Sequence, residues 1–107
     1  MFNRYHTMVE ATRALREKGF NHTLELQDNN ALYCPEKDQK YTADELEILE
    51  FHRFEGDTNP SDMSVIFAIE AQDGTKGTII TPFGVYADRD LMEFLDQIPI
   101  RTKDYNR

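Results

Sequence analysis

Apolar side chains recur at helical spacing near the start of the chain, at Met8, Ala11 and Leu15. Thr7 followed by Glu10 matches a capping box, which satisfies exposed N–H groups in the first turn of a helix. Gly19 suits the end of that helix, because a left-handed terminal residue costs glycine no Cβ clash. The pattern predicts a first helix over residues 7–18.

From residue 20 onward, apolar and polar residues alternate, as is typical of half-buried strands. The alternation predicts five strands, over residues 20–27, 31–34, 48–55, 65–69 and 76–81. Asp28-Asn29-Asn30 and Asp73-Gly74 supply turns between them, and residues 36–40 form a predicted polar loop. The third strand carries apolar residues on both faces, so we expect it to be central in the sheet or bulged.

Two more helical signals complete the pattern. Thr42 and Glu45 repeat the capping-box spacing and predict one helical turn before the third strand. Asp88 caps a last helix that Pro99 ends, with an apolar stripe at Leu91, Leu95 and Ile98. The order of elements favours an α+β fold: a single domain over residues 1–98, with an antiparallel sheet of about five strands. We expect the N-terminal and C-terminal helices to pack on one face of it, and residues 99–107 to form a polar tail.

Composition narrows the class of protein. The chain has 107 residues, 39% of them hydrophobic, without tryptophan, which fits one globular domain. No apolar run approaches the ~20 residues that cross a bilayer, and the first residues lack the apolar core of a signal peptide. We therefore expect a cytoplasmic protein that binds no membrane. Cys34 is the single cysteine, so we expect neither a disulfide nor a cysteine-based zinc site, and no cofactor.

The net charge of −8 is concentrated in the middle of the chain. Residues 20–62 carry eleven acidic and three basic side chains. This balance excludes a phosphate-backbone site, which needs clustered lysine and arginine, so we expect no nucleic acid partner. An acidic face keeps a protein soluble or meets a protein partner, including a second copy in a homodimer.

A cluster of polar residues is predicted around the connection between the third and fourth strands: His52, Arg53, Glu55, Asp57, Asn59, Asp62, Lys76, Tyr86 and Asp88. Arg53 and Glu55 face the same side of a strand, where they either form a structural bridge or orient an anionic ligand. His52 is either a proton shuttle or a satisfied structural residue. Asp57 and Asp62 lack the spacing of a calcium loop, and the intervening Asn-Pro-Ser favours a turn, so no metal site is assigned.

Four pieces of the chain carry a resemblance: FHRFEG, NPSDMSV, TKG and FGVYAD, at residues 51–56, 59–65, 75–77 and 83–88. Together they resemble a family of short uncharacterised bacterial proteins with the signature RFEG…NPxDxSV…GxKG…YGVYAD, often labelled phosphoribosylpyrophosphate synthetase. Phe83 departs from the tyrosine of that pattern. The resemblance implies a single-domain protein. Synthetase activity is not expected, because Asp88-Arg89-Asp90 is followed by Leu91 and not by the small residues that cradle a phosphate.

Two functions follow from these patterns. The first is a small non-catalytic binding or regulatory module that presents its acidic face, or a sheet edge, to a protein partner. The alternative is a binder of a small anionic ligand, or a minor enzyme, that uses Arg53, Glu55 and their neighbours.

Overall fold

In the computed structural model of this protein, residues 8–28, 30–54, 64–82 and 89–100 are described. The elements are α1 (Met8–Glu17), β1 (His22–Thr23), β2 (Glu25–Gln27), β3 (Ala31–Cys34), β4 (Gln39–Tyr41), a 3-10 turn (Ala43–Glu45), β5 (Leu46–Phe54), β6 (Ser64–Ala71), β7 (Lys76–Pro82) and α2 (Arg89–Asp96). The α+β class is confirmed. Among the described residues, neither helix is long and apolar enough to cross a membrane.

The end of α1 follows from its local sequence. Gly19 has a φ of 101°, the left-handed conformation that glycine adopts without strain. The Phe20 N–H donates to the Leu15 carbonyl, and the Gly19 N–H donates to the Arg16 carbonyl, both at 3.0 Å. This pair of bonds is a Schellman motif, so the predicted end of the first helix is confirmed. Thr7 lies outside the described residues.

The predicted strand over residues 20–27 is wrong, because the chain changes sheets at Leu24. His22 and Thr23 pair in parallel with β7, whereas β2 pairs antiparallel with β3. Leu24 is buried between them, and its N–H donates to the Thr78 carbonyl at 2.9 Å. Alternation continues across the break, so the pattern alone does not reveal it. The predicted loop over residues 36–40 is also only partly right, since β4 begins at Gln39.

The strands form two sheets instead of one antiparallel sheet of five. The larger sheet has the order β1-β7-β6-β5, and the smaller has the order β2-β3-β4. The bulge predicted in the third strand is confirmed, between Ile48 and Glu50 of β5. β5 is an edge strand of the larger sheet and is therefore not central. Its Ile48 N–H donates to the Pro99 carbonyl at 2.9 Å, and Ile48 forms a bridge with Ile100.

The two helices pack on opposite faces of the larger sheet, so the prediction of one shared face is wrong. Ile66 and Ala68 of β6 share a core with Ala11 and Leu15 of α1. The alternate residues of β6 share a second core with α2 and the smaller sheet, through Val65, Phe67, Ile69, Leu91, Phe94, Leu95, Leu24, Leu32, Cys34 and Tyr41. The physical reason is that residues 65–69 are all buried, so β6 needs a covering layer on both faces.

Candidate functional site

Three residues of the predicted polar cluster are described, and they do not lie together. His52 is buried, with 2% of its surface exposed, whereas Arg53 is exposed and points to the opposite face of β5. Ile66 and then Ile80 lie beside His52 across the sheet. Lys76 is four residues away from Ile80, at the start of β7, so it lies far from His52. The other six lie outside the described residues, so their part of the cluster stays a prediction: Glu55, Asp57, Asn59, Asp62, Tyr86 and Asp88.

His52 belongs to a chain of polar contacts that fastens α1 to β5. Its Nε2 lies 3.0 Å from Glu50 Oε1, and Lys18 Nζ donates to Glu50 Oε2 at 2.7 Å. Burial by itself raises the pKa of Glu50, but the hydrogen bonds from Lys18 and His52 outweigh burial, so the pKa is lowered. These contacts give His52 a structural role between α1 and β5.

Lys76 makes a different kind of contact. Its ammonium lies 5.4 Å from the centroid of the Phe20 ring, within the range of a cation–π interaction. In the sheet it lies directly opposite Glu70. Lys76 therefore helps to hold the end of α1 against the larger sheet.

A polar network that we call the Tyr41 network joins the smaller sheet to the β6–β7 hairpin, through Lys37, Tyr41, Asp73 and Thr75. The buried Tyr41 hydroxyl donates to Asp73 Oδ2 at 2.8 Å and lies 3.1 Å from Thr75 Oγ1. The Thr75 N–H donates to Asp73 Oδ1 at 2.9 Å, and Lys37 Nζ donates to the Thr75 hydroxyl. Every contact pairs a donor with an acceptor, so the network stabilises the packing of the smaller sheet against the β6–β7 hairpin.

The network shifts two pKa values. Hydrogen bonds from the Thr75 hydroxyl and N–H, together with one from Tyr41, lower the pKa of Asp73 from 3.8 to about 2. Burial raises the pKa of Tyr41, and the neighbouring Asp73 raises it further. Near neutral pH Asp73 is ionised and Tyr41 is protonated, which is the state that the hydrogen bond needs, and both shifts widen the pH range over which that state holds.

A second group, which we call the three-donor cluster, consists of His22, Cys34 and Glu36. Each offers one metal-ligating atom, and these atoms all lie within 4.8 Å of one another. His22 Nδ1 and a Glu36 carboxylate oxygen are in direct contact. The turn after β3 returns Glu36 over Cys34, because the Lys37 N–H donates to the Cys34 carbonyl at 3.1 Å. The cluster can hold a cation or a proton.

The sequence pattern does not predict the three-donor cluster, because Cys34 is the single cysteine and His22 lies in a different element. The spacing of Cys34 and Glu36 around Pro35 is the available signal, since a turn brings such residues together. His22 arrives through the pairing of β1 with β7, where it lies opposite Gly77. That contact is remote in sequence and carries no local signature.

An acidic groove lies beside the 3-10 turn, whose residues Asp44 and Glu45 line it. Its acidic lining residues are Asp44, Glu45, Glu47 and Glu70, and Gln72 and Pro99 complete much of its wall. The groove has a volume of about 360 Å³. Among the described residues that line it, none is lysine or arginine. Glu47 and Glu70 lie directly opposite each other on neighbouring strands, an arrangement that like charges disfavour.

Backbone contacts hold the wall of the groove. The Thr42 N–H donates to the Glu45 carboxylate at 2.9 Å, which is one half of the predicted capping box. The Gln72 N–H donates to the Glu45 carbonyl at 2.9 Å. These two bonds fix the 3-10 turn against the β6–β7 hairpin, so the acidic side chains start from a rigid base.

No protein-family model, curated protein or solved structure matches the chain.

Proposed function

We propose that this protein is a small non-catalytic binding module that recognises a basic segment of a partner protein through its acidic groove. The observation that carries the proposal is the convergence of Asp44, Glu45, Glu47 and Glu70 on one groove. A lysine- or arginine-rich segment is the complementary occupant, because arginine meets carboxylates with two parallel hydrogen bonds.

The positions of Glu47 and Glu70 support the same occupant. These residues lie directly opposite each other on neighbouring strands, so one cationic side chain can reach both. Lys76 lies on the other side of Glu70 in the same row. Binding is expected to be fast and sensitive to salt, since rim charges act mainly through electrostatic attraction.

The test is the fluorescence anisotropy of a labelled ten-residue peptide of alternating arginine and serine, titrated with the full chain. We expect saturable binding that weakens when salt is raised. The double variant Glu47→Gln with Glu70→Gln should lower the affinity about tenfold or more, at about 1.4 kcal/mol per factor of ten.

The matched control is Glu17→Gln with Glu25→Gln, which removes the same charge from exposed positions outside the groove lining. This control should bind like the wild type. An equal loss in the control and in the groove variant would show attraction to net charge alone and would reject the groove. Failure of the wild type to bind at low salt would reject it as well.

The anionic-ligand site around Arg53 and Glu55 is the second candidate, favoured by the exposure of Arg53 on β5. Thermal melts with inorganic phosphate test it, because a ligand of the native state raises the melting temperature. A rise that Arg53→Gln abolishes would support this site over the acidic groove.

A further inference from the structure

We propose that His22, Cys34 and Glu36 form a binding site for one divalent transition-metal ion, with Zn²⁺ as the best match. The site lies apart from the acidic groove, and no residue of one lines the other. The inference therefore does not depend on the proposed function.

The donor set selects the class of metal. It combines an imidazole nitrogen, a thiol sulfur and a carboxylate oxygen. Zinc accepts all three ligand types, at bond lengths of roughly 2.0–2.3 Å. Calcium and magnesium prefer oxygen ligands alone, so a site with sulfur and nitrogen disfavours them.

The spacing of the donors suits a small rearrangement around an ion. Ligand atoms of a tetrahedral zinc ion lie roughly 3.5 Å apart, as follows from the bond lengths above. His22 and Glu36 are in direct contact, so an ion would displace the proton between them and move these two atoms apart. The three donor atoms all lie within 4.8 Å of one another, so these adjustments are shifts of about 1 Å. Glu36 can move by this amount, because its side chain is 61% exposed and lies in a turn.

The other two ligands are held in place by the fold. Cys34 is fully buried at the end of β3 and belongs to the larger core. His22 lies in β1, whose backbone passes so close to Gly77 that a Cβ there would lie 2.9 Å from the His22 carbonyl oxygen. Glycine at this position therefore permits the close contact between β1 and β7 that brings His22 near Cys34. Two fixed ligands and one adjustable ligand make a preorganised site.

The cluster also has an open side. The His22 side chain is 29% exposed and that of Glu36 is 61% exposed, so a fourth ligand from solvent can complete a tetrahedral ion. A bound ion would link β1 of the larger sheet to β3 of the smaller one. Metal binding should therefore stabilise the contact between the sheets as well as occupy the site.

The competing explanation is a surface ion pair of His22 with Glu36 beside a thiol that serves only the core. The two explanations differ in the sulfur, because an ion pair makes no use of it. Cys34 is the single cysteine of the chain, so any thiolate signal reports this atom alone.

The experiment is a titration of the untagged, reduced and metal-stripped full chain with Co²⁺, followed by absorption. We expect a thiolate-to-cobalt charge-transfer band that saturates at one equivalent, visible-region bands of tetrahedral strength, and displacement of cobalt by Zn²⁺. Absence of the charge-transfer band in folded protein would overturn the proposal.

Variants assign the other two ligands. His22→Gln and Glu36→Gln should each lower the cobalt affinity at least about tenfold, since even outer partners of metal ligands are worth that much. Both positions are partly or largely exposed, so these variants should fold even if Cys34→Ser does not. Glu25→Gln is the control, an exposed carboxylate outside the cluster that should bind like the wild type. An unchanged affinity in His22→Gln and Glu36→Gln would show that the cysteine binds cobalt alone, and would also overturn the site.

Discussion

The Tyr41 network and the three-donor cluster both join the smaller sheet to the larger one, but their chemistry differs. In the network, the Tyr41 hydroxyl and the Thr75 N–H donate to the two oxygens of Asp73. In the cluster, a nitrogen, a sulfur and an oxygen that all carry lone pairs lie within 4.8 Å of one another. The first set is satisfied by the protein itself, whereas the second gains most from an added cation.

The difference separates polar groups that stabilise the fold from polar groups that can bind a ligand. Donors matched to acceptors contribute stability when the chain folds, and their removal should destabilise it. The three-donor cluster has one internal contact, between His22 and the largely exposed Glu36 carboxylate, which contributes little to stability, so removal of these side chains should change binding instead.

Gly77→Ala should destabilise the protein by about 2–3 kcal/mol, because the added Cβ would lie 2.9 Å from the His22 carbonyl oxygen and from Leu24 Cγ. The displaced β1 should also weaken cobalt binding at His22. Urea denaturation measures the free energy of unfolding. Thr23→Ala is the control, because it changes an exposed side chain on the same strand β1. Wild-type stability in Gly77→Ala would contradict the close contact of β1 with β7.

Tyr41→Phe should cost about 1–2 kcal/mol, since it removes the hydrogen bond to the Asp73 carboxylate and the contact with Thr75. Cobalt affinity should not change. Tyr33→Phe is the matched control: its hydroxyl donates to Asp38 at 2.7 Å in an exposed position, so its loss should cost distinctly less. Equal costs in the two variants would mean that the network adds nothing beyond a surface contact.

The Asp73 carboxylate should make the free energy of unfolding decrease at low pH. Its pKa in the folded protein is lowered from 3.8 to about 2, so its contribution is complete above the ordinary pKa and is lost as the pH falls toward 2. The difference in unfolding free energy between wild type and Asp73→Asn should therefore shrink across this window. Urea melts at several pH values measure it, with Asp44→Asn as a carboxylate control outside the network. A constant difference would contradict the pKa shift.

The locally determined parts of the fold are predictable from sequence. Gly19 ends α1, Asp73-Gly74 forms a hairpin with Gly74 at a φ of 90°, and β3 has the predicted bounds. In each case neighbouring residues supply the physical reason, such as a glycine that accepts positive φ. The bulge in β5 also follows from its apolar residues on both faces.

The remaining parts depend on contacts remote in sequence. The break at Leu24 is set by which sheet accepts each half of the segment, and alternation is the same in both. The placement of the helices on opposite faces depends on β6 being buried on both sides. The three-donor cluster requires His22 to reach Cys34 through the pairing of β1 with β7, so no spacing motif announces it.

The most direct test compares unfolding free energies with and without Zn²⁺ for three proteins: wild type, Tyr41→Phe and Glu36→Gln. Without metal, Glu36→Gln should lie within about 0.5 kcal/mol of wild type, because its side chain is largely exposed. Free zinc at 100 times its dissociation constant should stabilise wild type and Tyr41→Phe alike, by about 2.7 kcal/mol. At that zinc concentration Glu36→Gln should gain distinctly less. No gain in wild type, or the same gain in all three, would contradict the division between the Tyr41 network and the three-donor cluster.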